Sequence, residues 1–299
     1  MLTLQHPTPA LAGLLIAGCL AMPASAAVLT ALQFNVYRDG SSADWLQGKS
    51  RLLADTFDNN DPYVGPNYTS TGLPAAYSLQ GLAAGADAAL ALQERGGALL
   101  LDPAYGTVSA NAQGGLGSSL RLRLLTNIVD ANSGLPRSRS FAGALRLSLA
   151  AMPDAGQNFG LRLSDSFSND NDVIELSVRG GANGDTITFR KQDFLAGTIT
   201  ALGSAALVAP VGADAVVLSI SHASANTDII FGSYGYADAS GALIGNLTTF
   251  ANSTTAFDGE DHGRFELRAT SPVPVPEPAS WALLAAGLGW LASRQRRSA

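Results

Sequence analysis

Apolar and polar residues alternate along much of this chain in short runs closed by Gly, Asn, Asp or Ser, and this period of two constrains the fold more than any other feature. Successive side chains on a strand point to opposite faces, so each run can lay one apolar face on a core and turn one polar face outward. The clearest runs cover 29–37, 119–129 and 142–150; in the second, Arg121 and Arg123 alternate with Leu120, Leu122 and Leu124. Further runs follow at closer spacing over 159–163, 173–179, 186–190, 215–221, 229–236, 243–250 and 263–269. Gly180-Gly181-Ala182-Asn183-Gly184 joins two of them and reads as a hairpin turn, because several of its positions tolerate positive φ. Helical signals are few. Residues 83–92 are Ala-rich and read as helix or strand, and 50–56 could form a short helical turn. Many evenly spaced strands with Gly-rich turns predict an all-β fold, an antiparallel β-sandwich of jelly-roll type. The segment 39–77 departs from the pattern: it is polar, rich in Asn, Asp, Pro and Tyr, and predicts a long loop excursion of the kind that carries binding on a β scaffold.

The two ends obey different rules. An apolar stretch over 11–22 leads to Ala24-Ser25-Ala26, a small-x-small site at which a signal peptidase would cut before Ala27. The first ten residues hold no Lys or Arg, so either the true start lies elsewhere or His6 and the amino terminus supply the charge ahead of the apolar stretch. Ile16-Ala17-Gly18-Cys19 also fits a lipobox, in which Cys19 would be acylated; the two routes are alternatives. At the other end stand Pro276, Glu277 and Pro278, an apolar stretch over 279–293, and then Arg294, Arg296 and Arg297. A stable transmembrane helix wants about 20 residues, so this stretch could cross only by thinning the bilayer or letting its arginines snorkel. The positive-inside rule places those arginines in the cytoplasm and everything before Pro276 outside. The expected organisation is a signal peptide over 1–26, one ectodomain over 27–271, and a C-terminal segment over 272–299 with a transmembrane helix over 279–293 and a basic tail over 294–299.

That C-terminal segment resembles the PEP-CTERM sorting signal of Gram-negative bacteria, with Pro276-Glu277-Pro278 as the motif, the apolar helix behind it and Arg294 to Arg297 as the basic stop. The resemblance implies recognition by a membrane-embedded exosortase, transient anchoring in the inner membrane, cleavage near the motif, and delivery to the cell surface or extracellular matrix, often alongside exopolysaccharide and biofilm. More loosely, the ectodomain resembles concanavalin A-like or laminin G-like jelly rolls. The resemblance is carried by Phe159-Gly160-Leu161-Arg162-Leu163-Ser164-Asp165, by Asp172-Val173-Ile174-Glu175-Leu176-Ser177-Val178-Arg179 with the Gly hairpin after it, and by 214–221 and 229–236. This layout implies glycan-binding relatives and transfers no ligand residue.

Composition then excludes whole classes of chemistry. Cys19 is the only cysteine, so the mature domain has no disulfide, no thiol nucleophile and no cysteine metal site. The chain carries −6; the C-terminal segment holds three arginines and one glutamate, which leaves about −8 on the domain before it. Nucleic acid and anionic membranes are not expected partners, since both demand a basic surface. Retaining glycosidases of the sandwich class place carboxylates at alternate positions of one strand as Glu-x-Asp-x-Glu, and that motif is absent. Of the ectodomain glutamates Glu94, Glu175, Glu260 and Glu266, the last two could meet across a cleft, but they read better as a solvated strand edge. His222 and His262 stand far apart with no nucleophile elbow and no paired zinc spacing. Hard oxygen ligands cluster at Asp58-Asn59-Asn60-Asp61 and Ser168-Asn169-Asp170-Asn171-Asp172, where Asp58 with Asp61, or Asp170 with Asp172, could hold calcium or simply form Asx turns. Trp45, Tyr63 and Tyr68 lie in the polar excursion and are candidate sugar-stacking residues, or anchors of a long loop. Tyr234 and Tyr236 share a strand face and read as packing residues.

The reading that follows is an exported, non-enzymatic surface or matrix protein, processed by signal peptidase and exosortase, with polysaccharide as its candidate partner and no cofactor beyond the calcium option. Two alternatives stand beside it. A glycan-cleaving enzyme of the same sandwich class would need two carboxylates facing one cleft, and a permanently membrane-anchored surface protein would keep its C-terminus.

Overall fold

A computed structural model of the chain describes residues 27–38, 51–58, 66–68, 74–110, 116–124, 140–165, 172–193, 196–222, 229–255 and 263–272. The described residues fold almost wholly as strands, in two antiparallel sheets. In spatial order the first sheet runs β16 (Thr248–Thr249), β15 (Ile229–Ala237), β14 (Ala215–His222), β9 (Phe141–Ser148), β1 (Leu29–Arg38), β6 (Leu99–Leu101) and β5 (Leu92–Glu94). Two short strands join it at the side, β2 (Arg51–Asp55) on β1 and β17 (Thr254–Thr255) on β15. The second sheet runs β13 (Thr198–Ala206), β12 (Thr186–Asp193), β11 (Val173–Arg179), β10 (Asn158–Asp165), β18 (Gly263–Ser271), β8 (Leu116–Leu124), β4 (Pro74–Gln80) and β3 (Pro66–Tyr68), with β7 (Thr107–Ala110) also on β8.

Strands β10 to β13 pair in chain order as a meander, and the Gly-rich 180–184 turn sits, as expected, where Arg179 pairs with Thr186; β13 is a strand that the alternation does not predict. The terminal strands behave differently. β1 lies inside the first sheet between β9 and β6, and β18 lies inside the second between β10 and β8, so each end of the domain closes a sheet from within.

The core is the space between the sheets. Phe34, Leu145, Leu147, Val216, Leu218 and Ile220 of the first sheet meet Phe159, Leu161, Leu176, Leu120, Leu122 and Phe265 of the second in one continuous apolar cluster. Phe265 is its pivot, edge-on to Phe34 at 6.2 Å and to Phe141 at 6.1 Å, the geometry that aromatic quadrupoles favour. Across from it, β9 offers Gly143, where a Cβ would lie 2.7 Å from the Phe265 ring. In β8 burial alternates residue by residue, as the Leu/Arg pattern predicts.

Several expectations are corrected. Residues 51–55 form strand β2 and not a helical turn, because pairing with β1 decides the conformation of Arg-Leu-Leu-Ala-Asp. In 83–92 the helix α1 (Ala88–Ala91) is a single turn capped by the Asp87 carboxylate, and it passes directly into β5. The run 243–250 keeps only the two residues of β16, with turns before it. The excursion 39–77 is not loop throughout: β2, β3 and the start of β4 fall within it. Among the described residues no helix is long and apolar enough to cross a membrane. The expected signal peptide over 1–26 and the expected span over 279–293 both lie outside the described residues.

Candidate functional site

The alternation that buries one face of the second sheet gives its other face to polar residues, and there the register assembles a charge lattice. Arg162 on β10 stands opposite Glu175 on β11 and Glu266 on β18; Glu266 stands opposite Arg123 on β8, and Glu175 opposite Arg190 on β12. One row across five strands therefore reads Arg123, Glu266, Arg162, Glu175, Arg190, with the sign alternating at every step. The next row reads Arg121, Arg268, Gly160, Ser177 and Thr188. Its small central residues let Arg268 reach across β10 to Glu175.

Each carboxylate is held by three guanidinium groups. Glu266 receives Arg123 Nε at 2.6 Å, with Arg162 Nη1 at 3.4 Å and Arg121 Nη1 at 3.6 Å. Glu175 receives Arg268 Nη1 at 2.6 Å and Arg190 Nη2 at 2.7 Å, with Arg162 Nε at 3.7 Å. Asn158 Nδ2 and Ser177 Oγ also donate to Glu175, at 2.6 Å and 3.2 Å. Glu266, Glu175 and Arg162 form the floor, at 0%, 3% and 3% exposed, while Arg121, Arg123, Arg190 and Arg268 keep a fifth to a third of their side chains in solvent.

The electrostatics follow from that geometry. Burial alone would push the Glu175 carboxyl up, but Arg268, Arg190 and Arg162 together overcome it and hold the carboxyl well below the usual range. Burial likewise works against Glu266, and Arg162, Arg121 and Arg123 reverse it. Arg162 is pushed down to about 9, first by burial and then by Arg268, with the two glutamates opposing; it remains charged at neutral pH.

Two cavities lie side by side over this lattice. One, of about 530 Å³, is lined by Arg121, Arg123, Arg162 and Arg268 together with Gly81, Thr107, Ser109, Ser119, Ser164 and Val173. The other, of about 520 Å³, shares Arg268, Ser109 and Ser119 and continues past Arg179, Arg190, Asn158, Thr188, Gln192 and Ser204. Among the described residues six arginines and no carboxylate line the pair. Within them, Arg190 Nε and Asn158 Oδ1 are buried with no hydrogen-bond partner.

The residues singled out from sequence fare unevenly. Trp45, Tyr63, Asp61, Asp170, Glu260 and His262 lie outside the described residues, as do Ala24, Ala26 and all of 273–299, with Pro276, Glu277, Pro278, Arg294, Arg296 and Arg297 among them. Tyr68 ends β3, at the edge of the second sheet, opposite Pro74. Asp58 is exposed, just after Phe57 with its positive φ of 52°. Asp172 is buried and committed to Lys191 Nζ at 2.9 Å. Among the described residues no group of three or more His, Cys, Asp or Glu side chains could hold a metal ion. Glu266 is not on a solvated strand edge; it is fully buried on the interior strand β18. His222 is also buried, stacked on Phe141 at 5.0 Å. Tyr234 packs against Phe250 at 5.4 Å, and Tyr236 accepts the Val208 N–H at 3.0 Å.

Comparison with known proteins adds one assignment. Residues 274–297 match the PEP-CTERM protein-sorting motif, which marks an exported protein sorted by exosortase. No curated protein matches the chain. A solved structure of a bifunctional GH43-CE protein from Bacteroides eggerthii is similar over 56% of this chain at 14% identity and a TM-score of 0.26; the matched part is 22% of that protein, so the chain spans about a fifth of its length.

Proposed function

We propose that this is an exported surface or matrix protein whose arginine-lined sheet face binds polysaccharide without cleaving it. The single observation that carries the reading is the pair of adjoining cavities over the outer face of the second sheet, lined by hydroxyl, amide and guanidinium groups that can hydrogen-bond a hydroxyl-rich chain. The sorting motif supports the destination. In this reading the jelly-roll domain follows a signal peptide cut before Ala27, and the short apolar segment 279–293 holds it in the inner membrane, basic tail in the cytoplasm, until exosortase cuts near Pro276.

Catalysis is the weaker reading, although Glu175 and Glu266 do share a face. Glycoside cleavage needs one carboxyl that keeps its proton near neutral pH, and arginine pairing drives both carboxyls the other way. The test joins two measurements on protein recovered from the surface of producing cells. Intact mass is expected to show loss of the residues beyond the motif, and recovery of the chain through Arg297 would overturn processing. Incubation with a panel of soluble polysaccharides is expected to give co-sedimentation with at least one and no new reducing ends; release of reducing ends would restore the enzyme.

A further inference from the structure

Resting on the polysaccharide-binding reading above, we infer that the chain taken by this face is acidic, a polyuronate-type polymer bearing carboxylates on its sugar rings. The charge of the protein is locally inverted at this face. The protein is acidic overall, at −6, yet the two adjoining cavities carry six arginines and, among the described residues, no Asp or Glu. The two carboxylates of the lattice lie beneath the groove, already engaged, and cannot neutralise its wall: Glu175 and Glu266 are shared among five arginines, which leaves the lattice itself with excess positive charge.

Donor capacity points the same way. A guanidinium offers five N–H donors, and two glutamates cannot absorb those of five arginines. Arg121 approaches Glu266 only to 3.6 Å, beyond hydrogen-bonding distance, and has a third of its side chain in solvent. Arg190 Nε is buried without a partner in the second cavity. Leaving charged donors buried and unmade is costly, and a planar carboxylate is the acceptor whose geometry matches the guanidinium fork. The hydroxyls of Thr107, Ser109, Ser119, Thr188 and Ser204 around them suit sugar hydroxyls. A single-stranded nucleic acid would offer phosphates but also wants exposed aromatic faces on which bases stack. Phe189 is the one aromatic ring lining the cavities among the described residues, and it is fully buried.

The test uses the protein recovered from cells and four probes: polygalacturonate, its methyl ester, dextran, and a single-stranded oligonucleotide. Binding of polygalacturonate that weakens about tenfold or more as salt rises from about 50 to about 200 mM, with the ester and dextran left unbound, is the expected result. Equal binding of the ester or dextran overturns the acidic ligand and leaves the polysaccharide reading standing. No binding to any of the polysaccharides overturns both. Oligonucleotide bound as tightly as polygalacturonate overturns a glycan as the occupant. The double substitution Arg121→Gln with Arg179→Gln, at the two most loosely held arginines of the groove, is expected to weaken polygalacturonate binding about tenfold or more. If that variant binds as the wild type does, the site lies elsewhere. Should it melt early, Arg179→Gln alone, at the exposed end of β11, gives the same reading with a smaller loss.

Discussion

Ala27 donates its backbone N–H to Asp154 Oδ2 at 3.0 Å, and Gln157 Nε2 donates to the Ala27 carbonyl at 3.2 Å. Gln157 Oε1 in turn accepts the Asp154 N–H at 2.7 Å, so carboxylate, amide and chain start form one closed unit. Ala27 is also the residue that signal-peptidase cleavage after Ala26 would make the new amino terminus. Its N–H would then become an ammonium already facing a carboxylate, and a neutral hydrogen bond would turn into a charge-assisted one. Asp154→Asn is therefore expected to lower stability by about 0.5–1 kcal/mol more in processed protein than in the uncut chain. Paired thermal melts of the two forms measure the difference, and intact mass fixes the terminus at Ala27. Equal effects in both forms would show that the carboxylate does no more for the ammonium than for the peptide N–H. Lipoprotein processing at Cys19 would instead leave Ala27 inside the chain.

The two lattice glutamates set the acid limit of the fold. Their carboxyls lie below the usual range when folded, so folding favours the ionised form; that stabilisation is complete above the unfolded value of about 4.3 and is lost as pH falls through the folded values. Stability is expected to decline steadily below about pH 5. Glu175→Gln is expected to cost about 3–5 kcal/mol at neutral pH, because it removes the carboxylate shared by Arg162, Arg190 and Arg268 and leaves buried Arg162 with Glu266 alone against its cationic neighbours, and to flatten the acid limb. Chemical denaturation at several pH values reads both effects. A Glu175→Gln protein that keeps the wild-type acid limb would move that role to other groups.

Much of the sheet structure was legible because its cause is local: Leu120, Leu122 and Leu124 alternate with arginines whatever lies across from them. The lattice was not. Arg162 and Glu266 are 104 residues apart and meet only because β18 returns to the interior of the second sheet, so Glu266 read as edge charge. The Arg162–Glu175 pair was within reach, since β10 and β11 are consecutive strands that pair with each other directly. β13 escaped notice because it is an outer strand, half exposed, whose register slips opposite Phe189 and Arg190 and breaks the period. β2 looked helical because Leu-Leu-Ala carries little strand propensity, and pairing with β1 outweighs that.

Gly143 is a packing requirement and not a turn. Its missing side chain leaves room for the Phe265 ring that joins the two sheets, and a Cβ there would stand 2.7 Å from the ring. Because Phe265 also touches Phe34 and Phe141, it cannot retreat without disturbing both. Gly143→Ala is expected to destabilise by about 1–3 kcal/mol through overpacking, although alanine ordinarily favours an ordered backbone over glycine. The midpoint of denaturant unfolding measures it. The double variant with Phe265→Leu should recover part of the loss, since only a steric conflict is relieved that way.

Asp55 acts on stability with the opposite sign to the lattice. It is buried at the end of β2, where it accepts the Phe57 N–H at 3.0 Å and the Tyr77 hydroxyl at 2.8 Å. Burial raises its carboxyl above the ordinary value, with Asp58 adding a little, and the Phe57 and Tyr77 bonds offset only part of this. A raised folded value means that the folded state holds the proton more tightly. That contribution is fully present below the unfolded value of about 3.9 and is lost as pH rises through the folded one, so at neutral pH the protein carries a buried charge at a cost. Asp55→Asn keeps an acceptor for Phe57 and removes the charge, while its amide can donate to the Tyr77 oxygen. The substitution is therefore expected to be more favourable at pH 7 than at about pH 4. Melting curves at the two pH values, wild type against variant, read the gap. A gap of the reverse sign would mean that the two hydrogen bonds outweigh burial and that Asp55 is held as a stabilised carboxylate between β2 and β4.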